Sequence, residues 1–253
     1  MTTTRLPRAA PGGRTVLRCL LGLLLVLAVP ACSADERATS PEEVRELAGG
    51  TQAQEARKVA EDHLRTAVRA YDEDTPLVLG LTTVNDQCIG GAAKEWFFPT
   101  GDDRYRIRCS QNITAYYGAD PKRIGDHLDA VLTAGDHDVS ASPTGPIPFG
   151  HDDYRTRLVS YYRGHGPNPT GPDTPEPFHL SVAPQTLTWD TLRSSPKTLL
   201  AESGPCTEND PPVARCLREP ASTTVADLRR RYGMVFRLEM SASDYHQVFK
   251  DGR

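Results

Sequence analysis

Apolar residues along this chain change their spacing several times, and each change marks a predicted element. Ser40-Pro41-Glu42-Glu43 joins an N-capping hydroxyl to proline at the first helical position and an acid at N3, so a short helix starts there and Gly49-Gly50 ends it. Ala56, Val59, Ala60, Leu64, Ala67, Val68 and Tyr71 then recur at helical spacing, predicting a second helix that residues 72–76 stop. Residues 77–84 are short, apolar and β-branched and read as a buried strand. Asn85-Asp86 and Gly90-Gly91 read as turns, and residues 95–98 as another short strand.

The clearest periodicity lies in residues 104–117. Tyr105, Ile107, Cys109, Ile113, Ala115 and Tyr117 alternate with Arg104, Arg106, Arg108, Ser110, Asn112, Thr114 and Tyr116, and only Gln111 interrupts the apolar series. Period two predicts a long strand with one buried and one wet face. Asp120-Pro121 opens a helix whose inner stripe is Ile124, Leu128, Val131 and Leu132. A strand is predicted near residues 138–141. Prolines break residues 142–177, a candidate boundary between two subregions; within it, residues 152–163 fit strand or helix equally. Residues 178–189 read as strand interrupted at Pro184. Thr224–Tyr232 reads as a helix with Val225, Leu228 and Tyr232 inward and Gly233 beyond its end. Met234, Phe236, Leu238 and Met240 alternate as a strand, residues 241–244 turn, and residues 245–249 pair back. The sum is an α+β domain over residues 51–253: a twisted antiparallel sheet with helices packed on one face.

The first 31 residues have another pattern. Arg5, Arg8, Arg14 and Arg18 precede an uncharged apolar run from Cys19 to Val29, and no acid occurs before Asp35. The run is well short of the ~20 residues a spanning helix needs. A basic start, a short apolar core and a small-residue exit describe a cleaved secretory signal. Val29-Pro30-Ala31-Cys32 resembles the lipobox of bacterial lipoproteins, although the family has Leu at the first position and Ala or Ser at the second. That resemblance implies lipidation of Cys32 as the new N-terminus, with residues 32–50 as a lipid-anchored tether and short helix. Cleavage after Ala31 without lipid is the alternative, and it gives a secreted protein.

Export changes the meaning of charge and cysteine. Removing four leader arginines takes the formal charge of the 253-residue chain from −4 to −8. An acidic domain with no basic block does not suit nucleic acid. Cys88, Cys109, Cys206 and Cys216 remain beside Cys32. In an oxidising compartment they predict two local disulfides, Cys88–Cys109 and Cys206–Cys216, each pair close in sequence. No CxxC pattern suggests zinc or redox chemistry.

Candidate chemistry is sparse, and the sequence assigns no catalytic residue, cofactor or metal. Arg104, Arg106 and Arg108 share a strand face and form a basic ladder about 14 Å long at ~3.4 Å per residue, a candidate anion-binding surface or a solvated face paired with neighbouring acids. Asp136-His137-Asp138 and His151-Asp152-Asp153 resemble metal-binding clusters but lie at turns, where Asp is ordinary. Ser194-Ser195-Pro196-Lys197 matches S-x-x-K without the companion motifs of penicillin-binding enzymes. His246 reads as half-buried structure. Tyr116, Tyr117, Tyr161, Tyr162 and Trp189 are either core or the lining of a groove for glycan or peptide.

Ile113-Thr-Ala-Tyr-Tyr-Gly118, Leu187-Thr-Trp-Asp190 and Tyr232-Gly-Met-Val-Phe-Arg-Leu238 resemble segments of secreted lipoproteins from high-GC Gram-positive, Streptomyces-like bacteria. The resemblance implies a cell-envelope protein at the outer face of the cytoplasmic membrane and assigns no activity. The leading expectation is a non-catalytic module that meets an envelope partner or ligand. The alternatives are a small envelope hydrolase and a lipid or glycan carrier with an apolar cavity.

Overall fold

The computed structural model describes residues 37–94, 101–136, 149–204 and 212–251. Ala38–Arg253 form one compact unit, so the domain takes in the helix at residues 41–49 and extends N-terminally beyond residue 51. The elements are α1 (Pro41–Gly49), α2 (Thr51–Asp74), β1 (Val78–Gly90), β2 (Tyr105–Ala119), α3 (Ile124–Asp136), α4 (Asp153–Tyr162), β3 (His179–Val182), β4 (Gln185–Trp189), β5 (Val213–Glu219), α5 (Val225–Tyr232) and β6 (Met234–Phe249). The strands form a single antiparallel sheet in the order β3-β4-β6-β2-β1-β5.

Side-chain caps fix where α1, α4 and α5 and the 3-10 turn before α3 begin. Ser40 Oγ accepts from the Glu43 amide at 3.2 Å. Asp120 accepts from Lys122 N at 3.0 Å and opens the single 3-10 turn that leads into α3. Asp152 accepts from Arg155 N at 2.8 Å, which resolves residues 153–162 as helix. Thr224 and Asp227 form a reciprocal capping box on α5, and Gly233 closes that helix at φ +99.

Two predicted turns are strand. Asn85 and Asp86 stay in register with Asn112 and Gln111, inside β1. Asp86 is 2 % exposed, which turn propensity does not anticipate. Its charge is met by Arg57 at 2.5 Å and by the Tyr245 hydroxyl, which donates to Oδ1 at 2.7 Å. Gln111, the break in the apolar series, faces the same layer and donates to Glu61 at 3.5 Å. Residues 241–249 are the continuation of β6: Ser241 pairs with Asn112 and His246 with Cys109, and an irregularity with Asp244 at φ +56 takes up the extra residues. The strand at residues 178–189 is a β3–β4 hairpin turned at Ala183-Pro184. Val213–Glu219 form the edge strand β5, paired with β1. The predicted strands at residues 95–98 and 138–141 lie outside the described residues.

Helices cover both faces of the sheet, not one. Ile113, Ala115 and Tyr117 face the larger core, packed with Leu64, Val68, Leu128, Leu132, Leu158, Trp189 and Phe236 from α2, α3, α4, β4 and β6. α1 extends this side through Val44 and Ala48, which meet Ile107 and the Cys88–Cys109 bridge. Tyr116 and Val235 point the other way and pack with Leu81, Leu200, Val225 and Leu228 under α5. Two glycines permit that approach. A Cβ at Gly80 would lie 2.0 Å from Leu228, and one at Gly118 would lie 2.1 Å from Tyr232.

A buried ion pair locks α5 down. Asp190, 1 % exposed, receives Arg229 Nε at 2.8 Å and Nη2 at 2.9 Å in fork geometry. The same carboxylate accepts from Leu200 N at 2.7 Å and Val235 N at 3.0 Å. β4, β6 and β2 lie side by side in the sheet, with Tyr117 and Trp189 both opposite Phe236.

Replacing Arg229 with Met leaves Asp190 buried without its counter-charge. Loss of one partner of such a pair costs about 3–5 kcal/mol, read as a lower urea midpoint; an unchanged midpoint would contradict the role given to the pair.

His127 on α3 supplies a pH-dependent term. It is 3 % exposed, and Phe236 packs edge-on at 6.4 Å. Burial, with the Arg123 charge, holds its pKa below the ordinary value of 6.5, although Asp120 and Asp126 oppose the shift. The unfolded chain therefore takes the proton first, and stability present above pH 6.5 falls as the pH drops below it. His246 is lowered too, by burial and Arg57, and adds a term of the same sign. His151 has the opposite sign. Two carboxylates outweigh its desolvation and raise its pKa, so its contribution is complete below pH 6.5 and is lost as pH rises through the raised folded value. Urea unfolding from about pH 6.5 down to about pH 5, where carboxylates still contribute little, will show a shallower decline in His127→Leu than in the parent. Parallel declines would remove His127 from the account.

Candidate functional site

The chain after β4 runs from Asp190 to Leu200 without regular structure and faces the end of α4 and the proline-rich segment at residues 167–177. Between them lies an open groove of about 850 Å³. Asn168 shapes one wall: its Nδ2 donates to the carbonyls of Thr174 at 3.0 Å and Pro175 at 3.2 Å, and its Oδ1 accepts from Thr170 N at 3.1 Å. Thr191 and Thr198 close the facing wall, with Thr191 N donating to Thr198 O at 2.9 Å and Thr198 N to Thr191 Oγ1 at 2.7 Å.

Glu176 joins the two walls. It is 5 % exposed, and its carboxylate accepts Leu192 N at 3.0 Å on both oxygens, Arg193 N at 2.7 Å and Ser194 N at 2.8 Å. Three successive amides aimed at one anion form a backbone nest with its charge already in place. The Tyr162 hydroxyl proton faces two acceptors, Glu176 Oε1 at 3.0 Å and the Pro177 carbonyl, while Trp189 Nε1 donates to the same hydroxyl at 3.0 Å. Burial raises the Tyr162 pKa far above 10, so its proton stays in this network. Arg193 lies over the Tyr161 ring, guanidinium carbon to centroid 4.4 Å, and its Nη2 donates to the Tyr162 carbonyl at 3.1 Å.

Such an arrangement is a hydrogen-bonded recess with an oriented cation, Arg193, at its rim. The carboxylate beneath it is saturated with donors, and the exposed guanidinium has open N–H groups. Ser194 and Lys197 of the S-x-x-K match lie on this loop; the Ser194 amide is tied to Glu176, and Lys197 is exposed. A smaller depression of about 420 Å³, between α2 and β1, has Val68 and Ile113 in its apolar floor. Arg65 on its rim is engaged by Glu61 at 2.8 Å and Glu219 at 2.7 Å.

The residues singled out in the sequence do not gather at this groove. Arg106 Nε donates to Glu43 at 3.0 Å, and Arg108 lies 3.2 Å from Asp102 and 3.4 Å from Asp244. Arg104 and Arg108 flank the Tyr105 ring at 5.8 Å each. The ladder is thus interleaved with acids and an aromatic ring. His151 is clasped by Asp136 at 2.5 Å and Asp129 at 3.0 Å, and Arg163 joins Asp129 to Asp126. His137 and Asp138 lie outside the described residues. Tyr116, Tyr117, Tyr162 and Trp189 are core, and only Tyr161 of the five aromatics lines the groove. His246 is half-buried on β6.

Cys88 and Cys109 face each other across β1 and β2 and are joined by a disulfide. Cys216 on β5 is disulfide-bonded, and Cys206 lies outside the described residues, as does Cys32. Among the described residues no helix is long and apolar enough to cross a membrane. Comparison with known proteins gives no match to a family model, a curated protein or a solved structure.

Glu176 and Arg193 escape motif reading because their roles arise from a loop meeting a helix end. A Glu among prolines in a turn-rich stretch was the available signal. Glu176→Gln puts an amide NH₂ where one oxygen now accepts backbone N–H groups. The loss is about 1–3 kcal/mol, the range for a buried donor left unpaired, and trypsin will cut sooner after Arg193 and Lys197. Parent-like cleavage and stability would show that the loop does not need the carboxylate.

Proposed function

We propose that this chain is an exported cell-envelope protein, anchored at the outer face of the cytoplasmic membrane by lipid on Cys32, whose domain is a non-catalytic binding module. The observation that carries the reading is the stretch from Arg14 to Cys32, a basic start and short apolar core ending at a small residue and a cysteine. Only residues 33–37 separate Cys32 from the compact unit that begins at Ala38. An oxidising exterior suits the Cys88–Cys109 disulfide and favours Cys206 as the partner of Cys216.

The buried acids support a module over a hydrolase. Glu176 is saturated by backbone amides, Asp190 by Arg229 and two amides, and Asp86 by Arg57 and Tyr245. Each is committed to holding the fold, which leaves the groove as a recognition surface.

Metabolic labelling with a fatty-acid analogue tests the anchor. The parent chain will take up label and Cys32→Ala will not. Label that persists in Cys32→Ala, or its absence from the parent, would overturn the anchored reading.

A further inference from the structure

We propose that the groove between the 167–177 segment and the 191–198 loop binds a carboxylate-bearing ligand, with Arg193 as its recognition residue. This inference rests on the binding-module reading and adds the chemistry of the ligand. Arg193 is fixed from three sides: its own amide is held by Glu176 at 2.7 Å, its guanidinium plane by Tyr161 at 4.4 Å, and one N–H by the Tyr162 carbonyl at 3.1 Å. Elsewhere in the domain guanidinium groups held this firmly meet carboxylates, as Arg57 meets Asp86 and Arg229 meets Asp190. Arg193 meets none among the described residues, although it lines a recess of about 850 Å³.

Desolvation selects an anion over a neutral ligand. Anything lying in the groove removes water from the remaining N–H groups of Arg193. A neutral ligand leaves that charge unpaired at a real cost, whereas a carboxylate accepts two parallel hydrogen bonds from it. Glu176 does not supply this function, because its oxygens already accept the three loop amides and face Tyr162. Asp173 lines the opposite wall and, among the described residues, is the one acidic side chain there besides Glu176. It opposes an anion, so its removal should favour binding. Ser194, Ser195 and Thr198 add hydroxyl groups along the wall that carries Arg193. A peptide terminus and an acidic sugar share this carboxylate chemistry.

The test is an NMR titration of the full mature chain in detergent with two pairs of probes. One pair is acetyl-Ala-Ala with a free carboxyl group and its C-terminal amide; the other is methyl glucuronoside and methyl glucoside. At least one carboxylate probe will shift the Arg193 side-chain resonance, and its neutral twin will bind at least tenfold more weakly. Arg193→Gln will weaken binding tenfold or more while the domain still unfolds in one cooperative urea transition, and Asp173→Asn will tighten it severalfold. Response to the peptide alone or to the uronoside alone identifies the source. Equal binding of charged and neutral twins, an unaltered affinity in Arg193→Gln, or no binding by either carboxylate would overturn the proposal. The titration is independent of lipid on Cys32, so a failure here beside normal fatty-acid labelling removes the ligand class and leaves the anchored module standing.

Discussion

Two buried carboxylates, Glu176 and Asp190, hold the chain between β4 and residue 200 in place. That chain has no ladder partner for most of its amides, and buried N–H groups require acceptors. Glu176 accepts three of them, from Leu192, Arg193 and Ser194, and Asp190 accepts the Leu200 amide at the far end. Asp190 also carries Arg229 of α5 and the Val235 amide at the start of β6. Removing either acid exposes the same weakness: a long, largely exposed loop whose part-buried amides at Leu192, Arg193 and Ser194 lose their acceptor, or whose anchored end at Leu200 does. The groove, the oriented Arg193 and the docking of α5 all follow from satisfying those amides.

The charges are arranged in strata. One lies at Asp190 under α5, a second at Asp86, Arg57 and Tyr245 beside the Cys88–Cys109 bridge, and a third at Glu176 behind Tyr162 and Trp189. Apolar clusters separate them: the large core around Trp189 and Phe236, and the smaller one around Tyr116 and Leu228. A buried acid with matched donors fixes register and orientation more than it adds stability, because desolvation offsets most of the attraction. The acidic formal charge of the chain thus hides an interior in which Asp86 and Asp190 meet arginines and Glu176 meets backbone amides. That pairing also accounts for the arginine ladder on β2, where Glu43, Asp102 and Asp244 sit against Arg106 and Arg108.

Local signals in the sequence revealed the elements whose causes are local. Ser40-Pro41, Asp120-Pro121 and Thr224 with Asp227 each cap a helix through neighbouring residues, and the alternation on β2 and β6 depends only on side-chain parity. Errors arose where a distant partner decided the outcome. Asp86 reads as a turn residue until Arg57 and Tyr245 neutralise it within a strand. Tyr116 falls on the wet parity of β2 but is buried because α5 returns from more than a hundred residues away. Gly80 and Gly118, interior to strands, were the signal that a second face would be covered. The groove was the least legible part, since Glu176 acts through backbone amides that carry no residue identity.

Amide hydrogen exchange across residues 190–200 tests most directly that buried carboxylates make this loop rigid. Leu192, Arg193, Ser194 and Leu200 donate to Glu176 or Asp190, so their amides should exchange as slowly as those of the central strands β2 and β6, at the rate set by global unfolding. Exchange at the rate of an exposed loop, with the strands still protected, would contradict the account.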